Sequence, residues 1–130
     1  MSLLAIGLGC RRGADGAAIA SLVRAALKSA AQEGAAALFT IDEKNGEAGL
    51  KAAAAALDLP LHFLGRDALK AVAAQAQTRS ALVEEMFGLP SVAETAALAG
   101  AGPGAELIVP RMSGRGVTCA IARAREAGAP

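Results

Sequence analysis

Apolar and polar positions change their period several times along the chain, and each change marks an element. Residues 3–8 form a short apolar run bounded by glycine, which predicts a strand buried on both faces. Ile19, Leu22, Val23, Ala26 and Leu27 then recur at helical spacing, with Asp15 placed to cap the helix and Gly34 to stop it. Residues 36–41 read as a second strand, 47–57 as a second helix, and 61–64 as a short third strand after Pro60. This βαβαβ order predicts a largely parallel sheet, because each parallel return needs a crossover that a helix supplies.

Residues 67–76 predict a third helix and 80–88 a short fourth, stopped at Gly88-Leu89-Pro90. Ser91-Val92-Ala93-Glu94 matches the S-x-x-E capping box and opens a helix running to about Ala99. Residues 100–104, rich in glycine and proline, are expected to leave the helix. Strands are expected at 106–109 and 117–122, joined by a loop over 110–116 that is too short for a parallel crossover. The fold class is therefore α/β: three layers, α/β/α, around a mixed, mainly parallel sheet of about five strands whose last pair is antiparallel. One domain spans residues 1–130, with a tail after Arg123 that is expected to fray.

Composition narrows the function more than the fold. A chain of 130 residues is near the commonest domain size and buries roughly two thirds of its unfolded surface in one core. The apolar share, 54%, is half alanine and is interrupted by charge, so nothing reaches the ~18 uninterrupted apolar residues of a membrane span. The first ten residues lack the basic leader of a signal peptide. A net charge of +1, from 13 basic and 12 acidic side chains, gives no overall field to draw nucleic acid or an anionic membrane. With neither Trp nor Tyr there is also no platform for base stacking. Cys10 and Cys119 form no CxxC pair, which suits a reducing cytoplasm, and a single histidine, His62, leaves no metal-ligand spacing. Neither metal nor cofactor is expected.

Ligands of such sheets gather at the carboxyl ends of the parallel strands. Three segments fall there. Gly9, Cys10, Arg11, Arg12 and Gly13 join glycine turns to two guanidiniums and a helix start, which together favour an anion. The third glycine of the run comes one residue late for a dinucleotide fingerprint, and a plain structural turn is the competing reading. Asp42 and Lys44 leave the second strand; they suit a ligand hydroxyl and a ligand carboxylate respectively, or a solvated polar turn. Arg111, Ser113 and Gly116 belong to a basic hairpin loop that suits a lid over an acidic ligand, or a mobile surface turn. Cys10, beside Arg11 and near a helix start, suits a depressed thiol pKa, but with no His spaced as a base it reads more simply as a small structural residue. His62 and Cys119 read as packed core residues, and Glu94 most simply closes its capping box.

Read together, Gly7-Leu8-Gly9-Cys10-Arg11-Arg12-Gly13, Ile41-Asp42-Glu43-Lys44 with Glu47, Gly49 and Leu50, Val83-Glu84 with Gly88-Leu89-Pro90-Ser91-Val92-Ala93-Glu94, and residues 107–110 with Gly116-Val117-Thr118-Cys119-Ala120-Ile121-Ala122 resemble one family. It is the cobalamin-biosynthesis family of CobE and the C-terminal domain of CbiG. Two departures stand out: Ala48 where proline is common, and Arg111 and Arg115 where Lys and Gly are frequent. The resemblance implies work on the corrin ring of vitamin B12, in the stand-alone form rather than joined to the N-terminal region of CbiG. It implies, as partner, a corrinoid or precorrin intermediate whose carboxylates meet Arg11, Arg12, Lys44 and Arg111 in a ligand-binding set that also includes Gly9, Cys10, Gly13, Asp42, Glu94, Ser113 and Gly116, together with other enzymes of the pathway. The alternative it leaves open is an enzyme acting on a precorrin, with Glu84, Glu94 or Asp42 as acid or base.

Overall fold

The computed structural model describes residues 3–125. Its elements are β1 (Leu4–Cys10), α1 (Gly16–Ala30), β2 (Ala36–Ile41), α2 (Ala48–Leu57), β3 (Leu61–Leu64), α3 (Arg66–Lys70), α4 (Ala81–Phe87), α5 (Val92–Ala101), β4 (Glu106–Gly114) and β5 (Val117–Arg123), with 3₁₀ turns at Asp42–Lys44 and Ala73–Gln75. The sheet order is β3-β2-β1-β5-β4. β1, β2 and β3 pair in parallel, and β5 runs antiparallel to both β1 and β4. The mixed α/β/α sandwich is thus the expected one.

Side-chain alternation along β1 explains the layers. Leu4, Ile6 and Leu8 pack with Ile19, Val23 and Leu50 from α1 and α2, together with Leu38, Cys119 and Ile121. Ala5 joins Phe39, Ile41, Leu69, Val92 and Ala96 on the opposite face, under α3 and α5. Small residues on that second face let α5 lie against the strand itself: a Cβ at Gly7 would overlap the carbonyl of Ala93 and the amide of Ala97. Close approach of a backbone is one of the few reasons a strand interior holds glycine.

Several boundaries differ from expectation. Helix α1 is capped by Asp15, whose carboxylate accepts from the Ala17 amide, but it ends in a left-handed turn at Ala31, before Gly34. The third helix is broken after Lys70, and only a 3₁₀ turn follows. Helix α5 continues through Gly100 to Ala101, and the Phe39 ring lies where a side chain at Gly100 would stand, so glycine there admits the ring rather than ending the helix. The expected loop over 110–116 is mostly strand. β4 lies at the sheet edge, where Pro110 disturbs no interior ladder, and two register shifts take up the extra residues. Only Arg115 and Gly116 turn the hairpin, both at positive φ, as a tight two-residue turn requires. His62 is exposed rather than packed; it sits on edge strand β3 and stacks on Phe39 with ring centroids 5.1 Å apart. Residues 126–130, most of the tail expected to fray, lie outside the described residues. No helix among the described residues is long and apolar enough to cross a membrane.

Candidate ligand-binding site

The carboxyl end of β1, the amino end of β5 and the last residues of β4 lie side by side, with Cys10 opposite Val117 and Gly114 opposite Val117. The hairpin turn is fastened to the first loop by a hydrogen bond from the Arg11 amide to the Gly116 carbonyl, 2.9 Å. Above this edge, the start of α5 brings Ser91 and Val92, and α4 forms the opposite wall. Between them is a half-open cavity of about 610 Å³, within the usual range for small-molecule sites.

Its lining divides by chemistry. Arg11, Arg12, Lys44, Arg111 and Arg115 line it, and among the described residues no Asp or Glu does. In a chain of net charge +1 this is a marked segregation of sign. Arg115 lies 3.9 Å from Asp15, a contact exposed on both sides. Arg11, Arg12, Lys44 and Arg111 make no ion pair among the described residues. Opposite them stand Leu82, Val83, Met86 and Phe87 of α4. Val83 and Phe87 pack inward on the core, whereas Leu82 and Met86 are 64% and 55% exposed. They are the large apolar side chains the fold leaves most open, and both face this cavity. Outside the lining, Glu43 is held by Arg66 through two hydrogen bonds of 2.9 and 2.8 Å. That pairing draws the carboxylate beside Lys44 away from the cations.

Eight of the expected residues therefore share one cavity: Gly9, Cys10, Arg11, Arg12, Lys44, Arg111, Ser113 and Gly116. Gly13, Asp42 and Glu94 do not line it. Gly13 is a positive-φ turn residue whose amide donates to Glu47 Oε1 at 2.8 Å. With the Arg11 and Ala14 amides also engaged and Asp15 capping α1, the loop offers an anion its guanidiniums rather than a cradle of N–H groups. Asp42 opens the exposed 3₁₀ turn. Glu94 is fully buried on α5; Ser91 Oγ accepts from its amide, but its carboxylate accepts from Gln77, Thr78 and Arg111 instead of closing the capping box. Glu84, the other carboxylate considered for acid–base work, pairs with Arg79 at 2.7 Å.

The thiols agree with the plainer reading of each. Cys10 is not activated: burial pushes its thiol above the ordinary value, Lys44 pulls it down and Glu47 pushes it up. It is a neutral part of the cavity floor at neutral pH. Cys119, in the core, is pushed up to about 12 by burial alone. The α4 wall is the part of the site that sequence reasoning missed. Leu82, Val83, Met86 and Phe87 form an ordinary helical stripe, and nothing in its spacing says that half of it stays uncovered.

Comparisons with known proteins follow the same outline. Residues 4–122 match the family model described as cobalamin synthesis G C-terminus. The chain is 35% identical to CobE, a protein from the cobalamin (vitamin B12) biosynthetic pathway, with a TM-score of 0.88 over 95% of this chain and 92% of that one. It is 40% identical to the cobalamin biosynthesis protein chiG from Agrobacterium tumefaciens, with a TM-score of 0.76 over 95% of this chain and 99% of the other. No curated protein matched.

Proposed function

The chain belongs to the cobalamin synthesis G C-terminus family and is a protein of cobalamin biosynthesis, and on that premise we propose that its cavity binds a corrin-type intermediate by the carboxylates, to hold, protect or deliver it. The observation that carries this reading is the division of the lining: five cations on the loops and β4, four apolar side chains on α4, and no carboxylate among the described residues. Corrin precursors combine an apolar macrocycle with acetate and propionate groups around its rim. Arg11, Arg12, Lys44, Arg111 and Arg115 suit the rim; Leu82 and Met86 suit a ring face. Guanidiniums bind carboxylates by paired, charge-assisted hydrogen bonds. Crowded like charges repel one another, and a polyanion relieves that repulsion as it binds. Delivery to another enzyme of the pathway fits a cavity open on one side, since the ligand leaves by the path it entered.

Absorbance titration with hydrogenobyrinic acid tests the proposal. The expected result is a saturable spectral change at micromolar protein, weakened at least about tenfold by the double variant Arg11→Ala, Arg12→Ala, which removes two charge-assisted contacts. An unchanged spectrum with the wild-type protein overturns it.

A further inference from the structure

Glu94 is 0% exposed, yet no cation touches it among the described residues. Its charge is held by hydrogen bonds alone. Oε1 accepts from the amides of Gln77 and Thr78, each at 2.8 Å, and Oε2 accepts from Thr78 Oγ1 and from the Arg111 amide, each at 2.9 Å. A buried carboxylate is tolerated when its lone pairs are satisfied in this way.

What matters is where those donors come from. Gln77 and Thr78 lead through Arg79 and Ser80 into α4, the apolar wall of the cavity. Arg111 sits on β4, the cationic wall, where the register shifts between Val109 and Met112. Bulges of this kind re-aim a side chain beside a site, and the carboxylate accepts from the Arg111 amide within the shifted stretch. α4 is otherwise fastened by Val83 and Phe87 in the core and by the Ser80 amide on the Pro90 carbonyl. One side chain on α5 thus grips both walls.

We infer that Glu94 is a positioning residue that sets the spacing of the cationic and apolar walls, and so aims Arg111 without touching the ligand. This rests on the binding reading above only for what the spacing serves. A glutamine at this position has the same shape but one acceptor oxygen; its NH₂ faces donors, so one wall must be released.

Amide hydrogen exchange of unliganded wild-type and Glu94→Gln protein, read residue by residue by NMR, tests the grip directly. Exchange at Arg111, or at Gln77 and Thr78, should quicken by at least about tenfold while amides in β1, β2 and β5 keep their rates, the signature of local opening. Hydrogenobyrinic acid affinity should fall about tenfold in the same variant. Exchange that rises equally throughout the sheet, with corrinoid affinity unchanged, would show a merely structural role and overturn the inference, as would unchanged exchange at all three amides. Should Glu94→Gln fail to fold, Thr78→Val removes a single donor, and exchange at Gln77 and Thr78 should quicken alone; no change there counts against the grip. If wild-type protein binds no corrinoid, the binding proposal fails and the exchange contrast still decides this one.

Discussion

Gly7→Ala forces helix α5 away from the central strand. The new Cβ would stand 2.5 Å from the Ala97 nitrogen and 2.9 Å from the Ala93 carbonyl carbon, against an ordinary contact of 3.4–4 Å. These obstacles, and the still nearer Ala93 carbonyl oxygen, are all backbone, so no rotamer change relieves them, and α5 must retreat by more than about 1 Å in a close-packed interior. The retreat loosens Ala93, Ala96, Ala97 and Leu98, all buried. Overpacking typically costs 1–3 kcal/mol, and a clash with backbone belongs at the upper end, about 3 kcal/mol. Alanine's smaller freedom in the unfolded chain offsets at most about 1 kcal/mol of that. The net loss of about 2–3 kcal/mol corresponds to a Tm lower by roughly 10 °C in a domain of this size. Urea denaturation followed by far-UV circular dichroism is the suitable assay, because the chain has neither Trp nor Tyr to report by fluorescence. Gly46→Ala is the control: nothing lies within 4 Å of a Cβ there, and its stability should stay within about 0.5 kcal/mol of wild type. If Gly7→Ala is as stable as that control, α5 is not seated on β1 as described. The same retreat carries Ser91 and Val92 away from the cavity and Glu94 away from its donors, so corrinoid affinity should fall with stability.

Leu82→Ser combined with Met86→Ser should leave stability within about 0.5 kcal/mol of wild type, because both side chains are exposed. Hydrogenobyrinic acid should bind several-fold more weakly to that variant by absorbance titration, and equal binding would remove α4 from the site. Cys119 should make the fold sensitive to alkali: its thiol rises from 9.0 to about 12 on folding, so the unfolded chain ionises first. Stability from this group is complete below pH 9 and is lost as pH climbs toward 12. Between pH 8 and pH 11 the wild-type protein should lose roughly 2–3 kcal/mol more than Cys119→Ala, at about 1.4 kcal/mol per unit; parallel losses in urea denaturation would contradict the stated cause.

How much was legible in the sequence depended on the range of the signal. The cap at Asp15, strands β2 and β3, and the Ser80 and Ser91 helix starts rest on neighbours in the chain, and they stand where their residues place them. Residues 110–116 misled because an edge strand tolerates proline and absorbs irregularity by shifting register, which depends on its position in the sheet. Glu94 misled for a similar reason: the S-x-x-E pattern is local, whereas the donors that claim its carboxylate arrive from residues 16 and 17 positions away. The cations of the site were legible as three basic segments, although the third, expected as a loop, puts Arg111 within the antiparallel edge strand β4. That Leu82 and Met86 face them was not, since a helical stripe gives no sign of how much of it another element covers. Cys10 lies beside Arg11 in the sequence, yet burial outweighs any neighbouring positive charge on its thiol.

The binding proposal requires that carboxylates, and not the macrocycle alone, hold a corrinoid in the cationic cavity. Parallel absorbance titrations with hydrogenobyrinic acid and with its fully amidated counterpart separate the two contributions, because the ring is shared and only the rim charge differs. The acid should bind at least about tenfold more tightly at about 0.05 M salt, and the advantage should shrink as salt screens the exposed guanidiniums of Arg11, Arg12 and Arg115. Equal affinity for acid and amide, unchanged by salt, would contradict it.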